Sequence, residues 1–185
     1  MACAEKTAFI VNPHAAQGRT RHGWPGLLKS VEQRFSNFDV FVTERPFHAV
    51  ELTQRALWNG YTRIVSVGGD GTHFEVTNGF FEGSRPVNPD AVLSILPYGT
   101  GSDLARTLGI PTGARSLPLL ASDRVVRADV ARITCAGLEG GENMCYFLNT
   151  SRIGIGGEVV WQVNHNTKAW GGFVSYCWGT LRALF

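Results

Sequence analysis

Among 185 residues there are only four cysteines, Cys3, Cys135, Cys145 and Cys177, and no two of them stand in Cys-x-x-Cys spacing. That excludes a zinc ribbon or a paired redox motif, and it leaves reduced, mostly buried thiols in a cytosol-like compartment as the expectation. Charge is also sparse. The 17 lysines and arginines against 15 acids give a net charge of +2, which lacks the basic excess of a nucleic-acid binder. No apolar run is long enough to span a bilayer. The opening Met1-Ala2-Cys3-Ala4-Glu5-Lys6 runs almost directly into a strand, without a cationic leader and a cleavable apolar stretch. The Gly-x-x-x-x-Gly-Lys-Ser/Thr pattern is missing, so the ordinary P-loop is excluded.

What is present is glycine, 22 residues of it, in a chain that is 44% apolar and 17% charged, the balance of a globular protein. The length suits one domain, or one domain plus part of another. The sequence is organised around Val65-Ser66-Val67-Gly68-Gly69-Asp70-Gly71-Thr72, continuing through Glu75 to Asn78-Gly79. Ile64, Val65 and Val67 give the β-branched run of a strand covered on both faces. Gly68, Gly69 and Gly71 let a ligand approach the main chain, and Thr72 is placed to cap a following helix whose first N–H groups suit a phosphate. Asp70 does not fit a phosphate turn on its own, because a carboxylate repels the ligand unless it holds a metal ion or accepts a proton. Its role is read as chemical, against the plainer alternative of a tight β-to-α connection in which Asp70 satisfies local N–H groups.

In chain order, Ala8 to Val11 is a first strand, followed by a loop from Asn12-Pro13 through Gly18 to Arg19, where Arg19 and Arg21 can meet an anion. Leu27, Leu28, Val31 and Phe35 have helical spacing from about Trp24, and Phe38 to Val42 is a second strand that ends at Thr43-Glu44. His48 to Trp58 is a second helix stopped by Asn59-Gly60, with His48 read as a surface or capping residue. This βαβαβα order calls for a parallel sheet with helices on both faces, and for a ligand beyond the carboxyl ends of its strands. After a loop over 81–89, a fourth strand from Val92 to Leu96 enters Pro97-Tyr98-Gly99-Thr100-Gly101-Ser102-Asp103, with Ser102 or Asp103 as helix cap. A short helix is expected over 114–121. A boundary near Ser122 then separates a first domain, 1–122, from 123–185. There Val125 to Val130 and Cys145 to Asn149 read as antiparallel strands around a turn from Gly137 to Asn143, and 156–185 reads as helical in two pieces.

Asn12-Pro13 with Gly18, Gly68-Gly69-Asp70-Gly71-Thr72 with Glu75 and Asn78-Gly79, and Leu96-Pro97-Tyr98-Gly99-Thr100-Gly101-Ser102-Asp103-Leu104-Ala105-Arg106 resemble the three signature blocks of the diacylglycerol kinase catalytic domain family. That family includes sphingoid long-chain-base kinases, and the form of the first and third blocks leans towards that branch. Asn149 to Gly154 and the helix from Tyr176 to Leu184 are similar to the start of its second lobe. The resemblance implies an α/β nucleotide-binding domain followed by the beginning of a β-sandwich lobe, truncated in 123–185, with ATP and Mg²⁺ in the cleft.

It also implies roles. Asn12, Pro13, Thr43, Gly68, Gly69, Asp70, Gly71, Thr72, Glu75, Gly99, Thr100, Gly101 and Asp103 would line the nucleotide, and Asp70 would serve as general base or metal organiser. The chemistry agrees, since phosphoryl transfer asks for positioning and charge stabilisation. Glu158 is the acid placed to read a sphingoid ammonium. Three departures stand out: Phe74 where relatives often have Asn or His, with His73 before it; Ser102 in place of the commoner Asn; and the absence of the family's remaining second lobe. The function expected is an ATP-dependent lipid kinase acting on the hydroxyl of a diacylglycerol or sphingoid base, cytoplasmic and peripheral to a membrane; Trp161, Trp170, Lys168 and Arg182 suit interfacial docking, and a buried interface with further strands accounts for the tryptophans equally well. The alternatives are a non-catalytic ATP-binding fragment and a relative of NAD kinase.

Overall fold

The computed structural model describes residues 5–99, 101–122, 124–136 and 140–150. By its contacts the chain divides into Met1–Asn149 and Thr150–Phe185, and the architecture below belongs to the first unit. The helical pieces expected over 156–185 lie outside the described residues.

Strand β1 (Thr7–Val11) leads through a turn into α1 (Arg19–Glu32), then β2 (Phe38–Val42), α2 (His48–Trp58), β3 (Arg63–Gly68) and α3 (Asp70–Gly79). A two-stranded ribbon, β4 (Phe81–Glu82) and β5 (Arg85–Pro86), precedes β6 (Val92–Pro97). After it come α4 (Asp103–Thr107), a 3₁₀ turn over Gly113–Ser116, α5 (Leu117–Leu120), and a hairpin of β7 (Ala131–Ala136) and β8 (Glu142–Phe147). The main sheet has the order β2-β1-β3-β6, all parallel, as the alternating pattern requires.

Both faces of the sheet are covered, and β1 shows how. Ala8 and Ile10 point to the side where Leu52, Ala56 and Leu57 of α2 and Val76 of α3 pack, while Phe9 and Val11 meet Leu27 and Val31 of α1 with Leu117 and Leu120 of α5. Every residue of β1 and β3 is buried, which is why neither alternates polar and apolar. Phe9 anchors its side through edge-to-face contacts with Phe35 and Phe38, ring centroids 5.2 and 5.5 Å away. Arg63, a charged group buried in this interior, is satisfied by Glu5 at 2.6 Å and the Leu120 carbonyl at 3.1 Å.

Three sequence expectations are corrected. Helix α1 begins at Arg19, not near Trp24, and carries Pro25 inside it. The turn before it winds left-handed through Ala16, Gln17 and Gly18, so Arg19 and Arg21 sit on the helix and not in the loop. The stretch Val125 to Val130 is not a strand. Pairing in the hairpin runs from Ala136↔Glu142 out to Ala131↔Phe147, where the ladder ends, and the valines that precede it are exposed. The thiols of Cys135 and Cys145 are free, but the first is exposed and the second half-buried, because a two-stranded ribbon has too little thickness to bury either.

Candidate functional site

The sheet order places β2 and β3 on opposite sides of β1, so the chain reverses its direction of winding between β1 and β3. At such a switch point the loops leaving two adjacent strands diverge and open a crevice at the carboxyl edge. Asn12 leaves β1 there and the Gly68-Gly69 turn leaves β3. They are stitched together: the Asn12 N–H donates to the Val67 carbonyl at 3.0 Å, and its Nδ2 donates to Thr72 Oγ1 at 3.0 Å. Asn12 Oδ1 accepts the His14 N–H at 2.9 Å, which shapes the Pro13 turn beside it. Thr43 follows β2 on the same edge, buried, with its N–H on the Val11 carbonyl at 2.9 Å.

Helix α3 starts at Asp70, with Gly69 as its N-cap residue and no side-chain cap. Thr72 is therefore not the cap that its sequence position suggests; it lies in the first turn, turned inward to accept from Asn12. The N–H groups of Asp70, Gly71 and Thr72 have no carbonyl within the helix to meet. Ser102 and Asp103 are not side-chain caps either. Ser102 lies in the left-handed region and precedes α4, and Asp103 pairs with Arg106 one turn on. The cap of α4 comes from a distance. Asp70 Oδ1 accepts the Leu104 N–H at 3.0 Å and Oδ2 accepts the Asp103 N–H at 3.2 Å, so the acid of one glycine turn closes the helix of the other.

The glycines divide by what surrounds them. A Cβ on Gly99 would sit 2.5 Å from the Gly69 Cα, and one on Gly68 would sit 2.4 Å from Thr72 Oγ1. These glycines serve the packing of the two turns on each other, and Gly101 leaves space for the Asp70 carboxylate. Gly71 differs: it is exposed, helical, and a Cβ there would meet nothing within 4 Å. The fold has no need of a glycine at that position, where alanine would favour the helix by about 1 kcal/mol. Open space over first-turn N–H groups is what a bound phosphate requires.

Around this centre the other expected residues take supporting places. Glu75 Oε2 accepts the Ala49 N–H at 3.3 Å and so ties α3 to the start of α2. A cavity of about 180 Å³ adjoins Gly99, lined by Arg19, Pro97, Tyr98, Thr112 and Gly113. Arg19 and Tyr98 thus join the carboxyl edge. The sequence offered Arg19 as an anion contact but gave no signal for Tyr98 beyond its place before a glycine. Thr100 and Glu158 lie outside the described residues, as do Trp161, Lys168, Trp170 and Arg182.

His73 was noted only as a departure from the family pattern, and its environment is unusual. It is buried on α3, its Nδ1 lies 2.8 Å from Ser66 Oγ, and its Nε2 has no partner. Burial pushes its pKa down to about 4, against the opposing pull of the Asp70 charge, so the ring is neutral near pH 7.

Among the described residues no three acids, histidines or cysteines gather into a metal cage. The edge does fit a magnesium ion of the kind that phosphates carry, since such an ion needs one or two protein carboxylates and Asp70 supplies one. Each Asp70 oxygen has a second lone pair beyond the N–H it accepts.

Comparison with known proteins agrees with the motif reading. The family model for the diacylglycerol kinase catalytic domain matches residues 6–133. The chain is 29% identical over 165 residues to a diacylglycerol kinase of Staphylococcus saprophyticus, covering 89% of this chain and 49% of that protein. A diacylglycerol kinase of Staphylococcus haemolyticus is 30% identical over 162 residues, 87% of this chain and 44% of its own length. The chain spans about half the length of these relatives. A crystal structure of a diacylglycerol kinase from Bacillus anthracis superposes with a TM-score of 0.60 at 29% identity, covering 70% of this chain and 44% of that one.

Proposed function

The chain belongs to the diacylglycerol kinase catalytic domain family, and from that premise we propose that it is the nucleotide-binding part of an ATP-dependent lipid kinase, acting on a hydroxyl of a diacylglycerol or a sphingoid base. The observation that carries the reading is Gly71, an exposed helical glycine over first-turn N–H groups at the sheet's switch point, next to the only carboxylate of the α3 first turn.

In this reading the phosphates of ATP lie against the N–H groups of Gly71 and Thr72, and Asn12 holds that turn open through Thr72. Thr43, Pro13 and Glu75 border the nucleoside end, while Gly68, Gly69, Gly99, Gly101 and Asp103 form the floor and the far wall; Thr100 is proposed as a nucleotide contact from its place in the motif alone. Magnesium carried by the phosphates would spread the negative charge of the transferring group, with Asp70 as its protein contact. The lipid oxygen attacks the γ-phosphorus, the bond to the β-phosphate oxygen breaks, and ADP leaves. The hydroxyl proton goes to Asp70 where it acts as base.

The domain division at 1–122 and 123–185 is part of the proposal, with the hairpin as the opening of the lipid-side lobe. So are a cytoplasmic location, docking at a membrane surface, and Glu158 as reader of a sphingoid ammonium. Among the described residues no helix is long and apolar enough to cross a membrane.

Radiolabelled transfer from Mg·ATP to diacylglycerol, sphingosine, phytosphingosine and ceramide in mixed micelles tests the reading. Transfer to one lipid that vanishes in Asp70→Ala is the expected result. ATP binding with no transfer to any of them would support the alternative, a nucleotide-binding remnant.

A further inference from the structure

The hairpin of β7 and β8 is fastened to the rest of the chain chiefly at Tyr146, beside a single bond from Arg132 Nη1 to Ser84 Oγ at 3.1 Å. The Tyr146 N–H donates to Asn78 Oδ1 at 2.8 Å, and the Tyr146 carbonyl accepts from Asn78 Nδ2 at 2.9 Å. The side-chain amide thereby stands in for a neighbouring strand. Asn78 Nδ2 also donates to the Phe74 carbonyl at 2.8 Å, one helical turn back, so its own helix sets the orientation of the amide. On the other side the Tyr146 ring stacks on Phe81 with centroids 3.8 Å apart, and its hydroxyl donates to the Gly83 carbonyl at 3.0 Å. Most of the hairpin is otherwise exposed.

This bonding pattern needs an amide of this length. Aspartate has no donor for the two carbonyls, alanine has neither group, and glutamine carries one methylene too many. Asn78 lies eight residues after Asp70 on the same helix, an axial rise of about 12 Å at 1.5 Å per residue.

We propose that Asn78 is a positioning residue: it fixes the hairpin of β7 and β8 at a set offset from the Asp70 carboxylate. The inference rests on the kinase reading only for what the hairpin opens, the lipid-side lobe. A helix held at its first turn by a nucleotide and at its last turn by Tyr146 transmits order from one end to the other.

Amide hydrogen exchange on the full chain tests this, with wild type and Asn78→Ala compared with and without Mg·ATP. In the absence of nucleotide, exchange across 142–147 is expected to quicken by about tenfold or more in Asn78→Ala, the worth of roughly one net hydrogen bond. Mg·ATP is expected to slow exchange there in wild type. Asn78→Ala would bind Mg·ATP with affinity within about twofold of wild type yet show no such slowing, an uncoupling that mere loss of stability does not produce. Unchanged hairpin exchange in the variant, or equal nucleotide protection in both proteins, overturns the proposal. Asn78→Asp, which keeps the Oδ1 acceptor and the side-chain volume, takes its place if the alanine variant fails to fold. Wild type that binds no Mg·ATP overturns the kinase reading instead, and the nucleotide-free comparison still decides whether Asn78 holds the hairpin.

Discussion

Gly71 and Gly99 border the same surface, and their neighbours give them opposite duties. A methyl group on Gly99 would press onto the Gly69 backbone at 2.5 Å, whereas one on Gly71 meets open space. Gly99→Ala should lower stability by about 1–3 kcal/mol, since backbone cannot yield as a side chain does. Gly71→Ala should raise it by up to about 1 kcal/mol, while weakening Mg·ATP binding by about tenfold, 1.4 kcal/mol. Thermal unfolding together with calorimetric titration of the two variants checks both signs. Equal affinity of wild type and Gly71→Ala would remove the glycine argument. His73 makes a separate claim. Its native pKa of about 4 lies below the ordinary 6.5, so the unfolded chain takes up a proton that the native chain refuses. Stability is therefore full above pH 6.5 and falls as pH drops towards 4, by up to about 3 kcal/mol from this group. Denaturant midpoints for wild type and His73→Leu between pH 7 and pH 4 would show it: the variant should lose less on acidification, and parallel curves would refute the assignment.

At the scale of elements, strands and helices of the sheet were legible because their apolar patterns are long and both faces are covered. The starts of helices were not. Asp70 caps α4 across 34 residues, a partner that no local pattern reveals, and Thr72 was misread as a cap because its hydroxyl answers Asn12, 60 residues away. The start of α1 was misjudged in another way. The spacing of Leu27, Leu28, Val31 and Phe35 marks only the part of the helix from about Trp24 onward, but the left-handed turn at 16–18 launches α1 at Arg19 and leaves Pro25 inside it. Pro25→Ala should then stabilise the chain by roughly 2 kcal/mol, a gain of about 3 in the helix less about 1 for the freer unfolded chain. A thermal midpoint that stays level or falls would mean that the helix accommodates the ring without loss. The mispositioned strand at 125–130 has the same origin as the caps: a hairpin's extent is set by its register, here pinned at Tyr146 by Asn78, and not by valine content alone.

At the scale of the whole molecule, a sheet covered on both faces brings three loops to one edge, and the residues that the sequence singled out collect there because of strand order. Asn12 and Thr72 are far apart in sequence, yet their turns leave adjacent strands and meet, and the βαβ pattern already called for such loops to converge at the carboxyl ends of the strands. The side proposed to take the acceptor was less legible, since the chain spans about half the length of its relatives. The account's central claim is that this edge holds the nucleotide. Titrating the isotope-labelled chain with Mg·ATP while following its amide resonances by NMR tests it most directly. The account predicts saturable shifts centred on Asn12, Thr43, the Gly69-to-Thr72 turn and the Gly99-to-Leu104 turn, with smaller ones along α3 to Tyr146, all lost in Gly71→Ala at the same concentration. Saturable shifts centred elsewhere, or none at millimolar nucleotide, would contradict it.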